Sequence, residues 1–412
     1  MALVVVAAAL GLALVRPVRL FAVGMMLLAV ESARIFGVDS TAGKPATYKL
    51  LLYACALPVL LDRGVDRKKC APLIAYLVVV MFTETLATPL LGLTTGQTAS
   101  SLATLCLGWV VFAVRWEWSR DHHLLKVLAW VPTVSLLAGA ALQAAGILSL
   151  FRATPPRLEG ATLAASLGAL GVCAVVSCLV LYRREAWSWA GRLGLLNVVI
   201  LGATLSRGAA LALAIAAVPL VVRFARRQLE ARGIGVVAKV GLATIAVMAG
   251  AVVLGIGLVA RSENATDYVA GRGLSHEVAS GRFEAWKVAY DQAKVNIAFG
   301  RGLGAGPLVG ETPGAPQGFT AQHSEYVRML LEGGVIGAAI LLLAIGATLV
   351  SVIRCAPSIV RADLAATCIA FAIYSATENT LTTPAVAVSF LLLFGVGASR
   401  RNAGSAPRPV AG

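Results

Sequence analysis

Uninterrupted apolar runs, each near the length of one membrane crossing, recur along almost the whole chain. A helix needs ~20 such residues to cross the hydrocarbon layer. The runs fall near residues 1–15, 19–36, 46–61, 71–92, 99–114, 127–150, 161–181, 193–206, 208–222, 236–259, 333–353, 364–377 and 384–398. They are continuous rather than alternating, so strands of a closed barrel do not fit, and in lipid a helix is what satisfies every backbone N–H and C=O. The expected fold is an all-α, polytopic transmembrane helix bundle of about 12 spans, with one large, partly helical outer loop. A content of 58% hydrophobic and 13% charged residues, and a mean hydropathy of +0.83, agrees with that class. The first two runs are interrupted by Arg16, Pro17 and Arg19 and form either one broken helix or a hairpin. Met1 to Val15 has neither a basic leader nor a small-residue cleavage site, so it reads as a retained segment.

Arginine and lysine in the short loops set the orientation. Arg63, Arg67, Lys68 and Lys69 follow the third run, Arg115, Arg120 and Lys126 the fifth, Arg183, Arg184 and Arg192 the seventh, and Arg223, Arg226, Arg227 and Arg232 the ninth. Those loops are expected in the cytoplasm. Alternation then places 260–332 outside and returns Arg354, Arg361 and the tail with Arg400, Arg401 and Arg408 to the inside. The chain divides accordingly into an N-terminal transmembrane bundle (1–259), an outer loop (260–332), C-terminal transmembrane helices (333–398) and a cytoplasmic tail (399–412). The net charge of +15 is mostly this topology signal plus one functional loop, and calls for no nucleic acid.

Cys55, Cys70, Cys106, Cys173, Cys178, Cys355 and Cys368 lie in or beside apolar runs, form no CxxC pair and suggest neither a disulfide framework nor a zinc site. His122 and His123 sit in an inner loop while His276 and His323 lie far apart in the outer one, so no metal and no cofactor is expected.

The polar stretch from Gly281 to Gly337 holds the chemistry-bearing residues. Gly281, Arg282 and Trp286 open it, Gly300, Gly302 and Gly304 mark a turn, and His323 and Glu332 follow. No βαβ unit surrounds the glycines, so they are not a dinucleotide fingerprint; they suit a backbone turn that brings the chain close to a ligand or a helix. Residues 280–296 read as a helix with Ser280 as N-cap and Phe283, Trp286, Ala289 and Tyr290 on its apolar side. A second helix from about Thr320 runs into the next span, with His323, Val327 and Leu330 on one stripe and Arg328 and Glu332 as an i, i+4 pair. Arg207, in the turn Thr204-Leu205-Ser206-Arg207-Gly208 between two apolar runs, is either a site residue or a turn residue snorkelling to the headgroups. Glu84, Glu378 and Asn379, within or at the ends of runs, either line a cavity or pair inside the bundle.

In that order, Thr204-Leu205-Ser206-Arg207-Gly208, Gly281-Arg282 with Trp286, Gly300-x-Gly302-x-Gly304, Ala321-Gln322-His323 and Glu332-x-Gly334-x-x-Gly337 resemble the motifs of the O-antigen ligase and polysaccharide polymerase superfamily. The resemblance covers about residues 190 to 350, and departs at Ser324, where the family usually has asparagine. It implies a metal-independent, inverting glycosyltransferase of the bacterial inner membrane. Such an enzyme takes a glycan from undecaprenyl diphosphate on the periplasmic side and passes it to a glycan or lipid A-core acceptor. Arg207 and Arg282 are then diphosphate ligands, with Arg301 as a third, because arginine presents a fixed fork of donors that matches phosphate oxygens. His323 is the candidate general base, since a histidine side chain gains and loses a proton near neutral pH, with helix packing as its structural alternative. Trp286 either stacks on a sugar or packs at the membrane face, and Gly302 and Gly304 carry the ligand-facing turn. Glu332 is read as support for Arg328 or the helix start. Ligase and polymerase differ only in acceptor, and the reading leans to ligase. A transporter for lipid-linked glycans is the alternative of another class, disfavoured by the large outer loop and the lack of an internal repeat.

Overall fold

The computed structural model describes residues 16–30, 43–153, 156–232, 282–312 and 323–400. The runs 1–15 and 236–259, Ser280, Gly281, Thr320 and His276 lie outside that set. The described chain is helical nearly throughout: α1 (Pro17–Gly24), α2 (Gly43–Arg63), α3 (Ala71–Leu86), α4 (Thr95–Ala113), α5 (His123–Ala144), α6 (Ala164–Glu185), α7 (Ala190–Ala203), α8 (Arg207–Arg232), α9 (Arg282–Ala293), α10 (Glu325–Cys355), α11 (Ser358–Ser375) and α12 (Pro384–Gly397). Between α5 and α6, β1 (Phe151–Ala153) and β2 (Pro156–Leu158) form a small antiparallel hairpin.

Among the described residues, five helical stretches are long and apolar enough to cross a membrane: Thr95–Ala113, Trp118–Ala144, Ala164–Glu185, Glu325–Cys355 and Ser358–Ser375. Shorter apolar helices occupy Pro17–Ala29, Ala71–Leu86, Ala190–Ala203 and Pro384–Gly397.

A helix that is apolar on every side belongs in the centre of a bundle. α12 is such a helix, buried at every residue from Ala385 to Gly397, and α6 packs against it and against α5, α7, α8 and α11. Phe371 of α11 meets Phe390 of α12 with ring centroids 4.6 Å apart. Polar groups inside the bundle are used for docking: Asn197 Nδ2 donates to the Ala129 carbonyl at 2.9 Å and ties α7 to α5, which spares both groups the cost of burial without a partner.

The bundle has two distinct ends. At one, α6, α10 and α12 begin and α11 finishes; the Tyr374 hydroxyl donates to the Ala165 carbonyl at 2.9 Å there. At the other, α6, α10 and α12 finish and α11 begins, and Arg184 donates to the carbonyls of Gly397 and Ser399 at 3.1 and 2.8 Å. The 22 residues of α6 separate the two ends by roughly 33 Å, about one bilayer core.

Candidate active site at one end of the bundle

The glycine turn is held by backbone on both sides. Gly300, Gly302 and Gly304 have φ of 76°, 94° and 95°, the left-handed region that only glycine enters at little cost. Thr88 N donates to Gly300 O and Leu90 N to Arg301 O, at 3.3 and 3.1 Å. From the opposite side the turn donates to α10, through Arg301 N to Leu331 O at 2.8 Å and Gly302 N to Glu332 O at 3.1 Å. A Cβ on Gly300 would stand 2.5 Å from Gly334 N. α10 breaks at Gly334 (φ 62°, ψ −168°), and the N–H groups freed by the break, on Val335 and Ile336, donate to Ile297 and Ala298 at 2.8 and 3.1 Å.

A buried ionic relay runs from that turn to the α11–α12 connection. The Glu332 carboxylate accepts from Gly304 N at 3.1 Å and Gly306 N at 3.2 Å through Oε1, and pairs with Arg328 through Oε2. Arg328 Nε donates to Glu325 Oε1 at 2.8 Å, and Glu325 Oε2 accepts from Leu381 N at 3.3 Å. All three side chains are buried. Two carboxylates against one guanidinium leave an excess negative charge, and the three backbone N–H groups satisfy it. The sequence reading gave Glu332 its pairing with Arg328 but missed Glu325. The spacing Glu325-x-x-Arg328-x-x-x-Glu332 on a helix was the available signal.

His323 lies before α10, not on a stripe of it. Ser324 is the N-cap, its hydroxyl accepting from Val327 N at 3.4 Å, so the helix starts at Glu325 and the predicted His323, Val327, Leu330 face is corrected. Asparagine caps a helix as well as serine does, so the departure at Ser324 keeps this function. His323 has φ of 46°, a conformation that costs a non-glycine residue about 1–3 kcal/mol and tends to be kept at functional positions. Its ring, 41% exposed, turns Nδ1 toward Glu378 Oε2 at 3.5 Å. That distance is the outer edge of a hydrogen bond. Glu378 is held in turn by its own N–H donating to Tyr374 O at 3.0 Å.

Arg207 reaches the same neighbourhood from the other half of the chain. The Thr204 hydroxyl donates to Leu201 O at 2.7 Å and accepts from Ser206 N at 3.2 Å, Leu205 takes φ of 52°, and Arg207 starts α8 half-buried. A Cβ on Gly208 would lie 2.9 Å from the Tyr374 ring and 3.0 Å from Thr377 Oγ1. The Tyr374–Glu378 segment therefore touches the Arg207 turn on one side and His323 on the other. An arginine at the start of a 26-residue helix adds its charge to the positive end of the helix dipole, an arrangement suited to an anion.

Arg301 is 9% exposed, and its Nε has no hydrogen-bond partner. Among the described residues its guanidinium has no carboxylate partner either, and burial pushes its pKa down from the ordinary arginine value. Arg282 is the first residue of α9, and its side chain lies outside the described set. Trp286 is half-buried on α9, but the buried stripe is Ala285, Ala289 and Ala293, while Tyr290 is 46% exposed. This corrects the expected aromatic face: α9 packs against Leu90, Leu308, Val309 and Leu331, close over the turn, where only small side chains fit. Glu84 is exposed on the last turn of α3.

Residues 193–342 match the family model described as O-Antigen ligase. Over this segment the chain is similar to the O-antigen ligase family. The family consists of glycosyltransferase-type enzymes, ligases and polymerases, and the chain's apolar helices place it in a membrane. The matched segment contains Arg207, Arg282, Trp286, the glycine turn and His323, together with the whole Glu325–Arg328–Glu332 relay. Glu378, which faces His323, lies beyond it in the helices that follow. No curated protein matches the chain.

Proposed function

We propose that the protein is a metal-independent, inverting glycosyltransferase of the bacterial inner membrane, moving a glycan from undecaprenyl diphosphate to an acceptor hydroxyl on the periplasmic side. The acceptor is a lipid A-core sugar in the ligase reading we favour. A second lipid-linked glycan is the acceptor in the polymerase reading. The observation that carries the proposal is the meeting of His323 and the Arg207 turn on the Tyr374–Glu378 segment.

In this reading His323 takes the acceptor proton on Nε2, since Nδ1 faces Glu378. The acceptor oxygen forms a bond to the anomeric carbon as the bond from that carbon to the diphosphate oxygen breaks. Negative charge grows on the leaving diphosphate, and the fixed donor forks of Arg207 and Arg282 hold it, with Arg301 as a third cation. Trp286 lies on the helix beside the turn, where a sugar face would stack. The glycines Gly302 and Gly304 let the backbone approach the donor closely.

The test is turnover by the purified protein in detergent, given a lipid-linked glycan and an acceptor. Product formation without compartments supports transfer, whereas binding of the donor with no product would favour a transporter.

A further inference from the structure

At the end of the bundle away from His323, a pocket of about 580 Å³ is lined by Arg183, Arg184, Arg361 and Arg400, with Cys355 and Ser358 among its other walls. Among the described residues no carboxylate lines it. Asp363, buried behind it, pairs with Arg183 at 3.0 Å and Arg223 at 3.1 Å, so one acid is shared by two bases. Arg361 donates from Nη2 to Ala356 O at 3.0 Å and Arg400 from Nε to Cys355 O at 3.2 Å. Carbonyl partners fix these two guanidinium planes without neutralising them. The pocket also meets the start of α11, which has no side-chain cap, adding the positive end of a helix dipole. Ile359, 50% exposed, gives the pocket an apolar side.

The geometry points to a binding site for the phosphate of an anionic phospholipid headgroup in the leaflet opposite the proposed active site. Converging arginines supply the phosphate contacts, since each fork matches two phosphate oxygens. The volume suits a glycerophosphate group, and the apolar Ile359 side suits the first part of an acyl chain. Basic pockets among helix ends at the inner face are a recurrent way to hold such lipids. The inference rests on the chain spanning a membrane and not on glycan transfer, so loss of that activity would leave it standing.

Native mass spectrometry of the full-length protein in detergent tests it, with phosphatidylglycerol and phosphatidylcholine supplied in equal amounts. One phosphatidylglycerol should be retained over phosphatidylcholine by about tenfold, because both lipids offer the phosphate but the choline cation of the second cancels its charge and is repelled by the arginines. The Arg361→Gln, Arg400→Gln double variant should lose that preference while melting as the wild type does in phosphatidylcholine. Should the double variant melt early, Arg400→Gln alone, at the exposed rim, should still lower the preference several-fold. Equal retention of the two lipids, or unchanged preference in a well-folded variant, overturns the site. Displacement of the retained lipid by inorganic phosphate supports it, whereas phosphate binding with no lipid retained assigns the pocket to a soluble anion and overturns the lipid source.

Discussion

Glu332 accepts the N–H of Gly304 at 3.1 Å across 28 residues of chain, and thereby fastens the glycine turn to the start of a membrane helix. The same carboxylate is the partner of buried Arg328. Removing it leaves Arg328 paired with Glu325 but strands two buried backbone donors, Gly304 N and Gly306 N. Glu332→Ala should therefore cost roughly 2–5 kcal/mol, at about 1–3 kcal/mol for each buried donor left unsatisfied. Glu332→Gln, which keeps an acceptor oxygen, should cost less. Melting temperature and yield in detergent check both. Equal stability of Glu332→Ala and wild type would remove the relay from the account.

The glycine turn makes a second, purely conformational prediction. Gly300→Ala meets both a positive φ and a backbone atom 2.5 Å from the new Cβ. It should destabilise by roughly 2 kcal/mol or more. Gly346→Ala in α10, where nothing lies within 4 Å of the added carbon, should be tolerated. Thermal melts of the two variants side by side decide it, and comparable melting would contradict the clamped turn.

Arg301 gives a prediction about affinity. A desolvated cation whose Nε lacks a partner is satisfied by an incoming anion. Arg301→Ala should weaken donor binding by about tenfold, the scale of one charge-assisted hydrogen bond, and leave melting unchanged or higher. Unaltered donor affinity would take Arg301 out of the site.

Arg207 and Arg282 are expected to contact the diphosphate with two donors each, which lysine cannot imitate. Arg207→Lys and Arg282→Lys should each insert and purify normally and lose most turnover. A lysine variant with near-wild-type turnover would clear that residue of the role.

Much of this architecture was legible in the chain, and the legible parts share a cause. Lipid forces each apolar run into a helix, so the runs 46–61 and 384–398 correspond to Gly43–Arg63 and Pro384–Gly397. The Arg328–Glu332 pair followed from spacing on a single helix. What escaped was set by distant packing. Glu378 faces His323 from 55 residues away, and no local pattern joins them. The alanine stripe of α9 escaped because side-chain size suggested the aromatics as the buried face, whereas closeness to the turn selects for small residues. The left-handed φ of His323 escaped because it follows from where Ser324 starts the helix.

The central claim is that His323 removes the acceptor proton, and its most direct test is turnover of the purified His323→Ala variant with a lipid-linked donor, alongside donor binding and melting temperature on the same preparation. The variant should lose about 10²- to 10⁴-fold in rate, keep its melting temperature and bind donor nearly as well. His323→Gln, which supplies a hydrogen bond but accepts no proton, should not restore the rate. Full turnover by a stable His323→Ala protein would contradict the assignment.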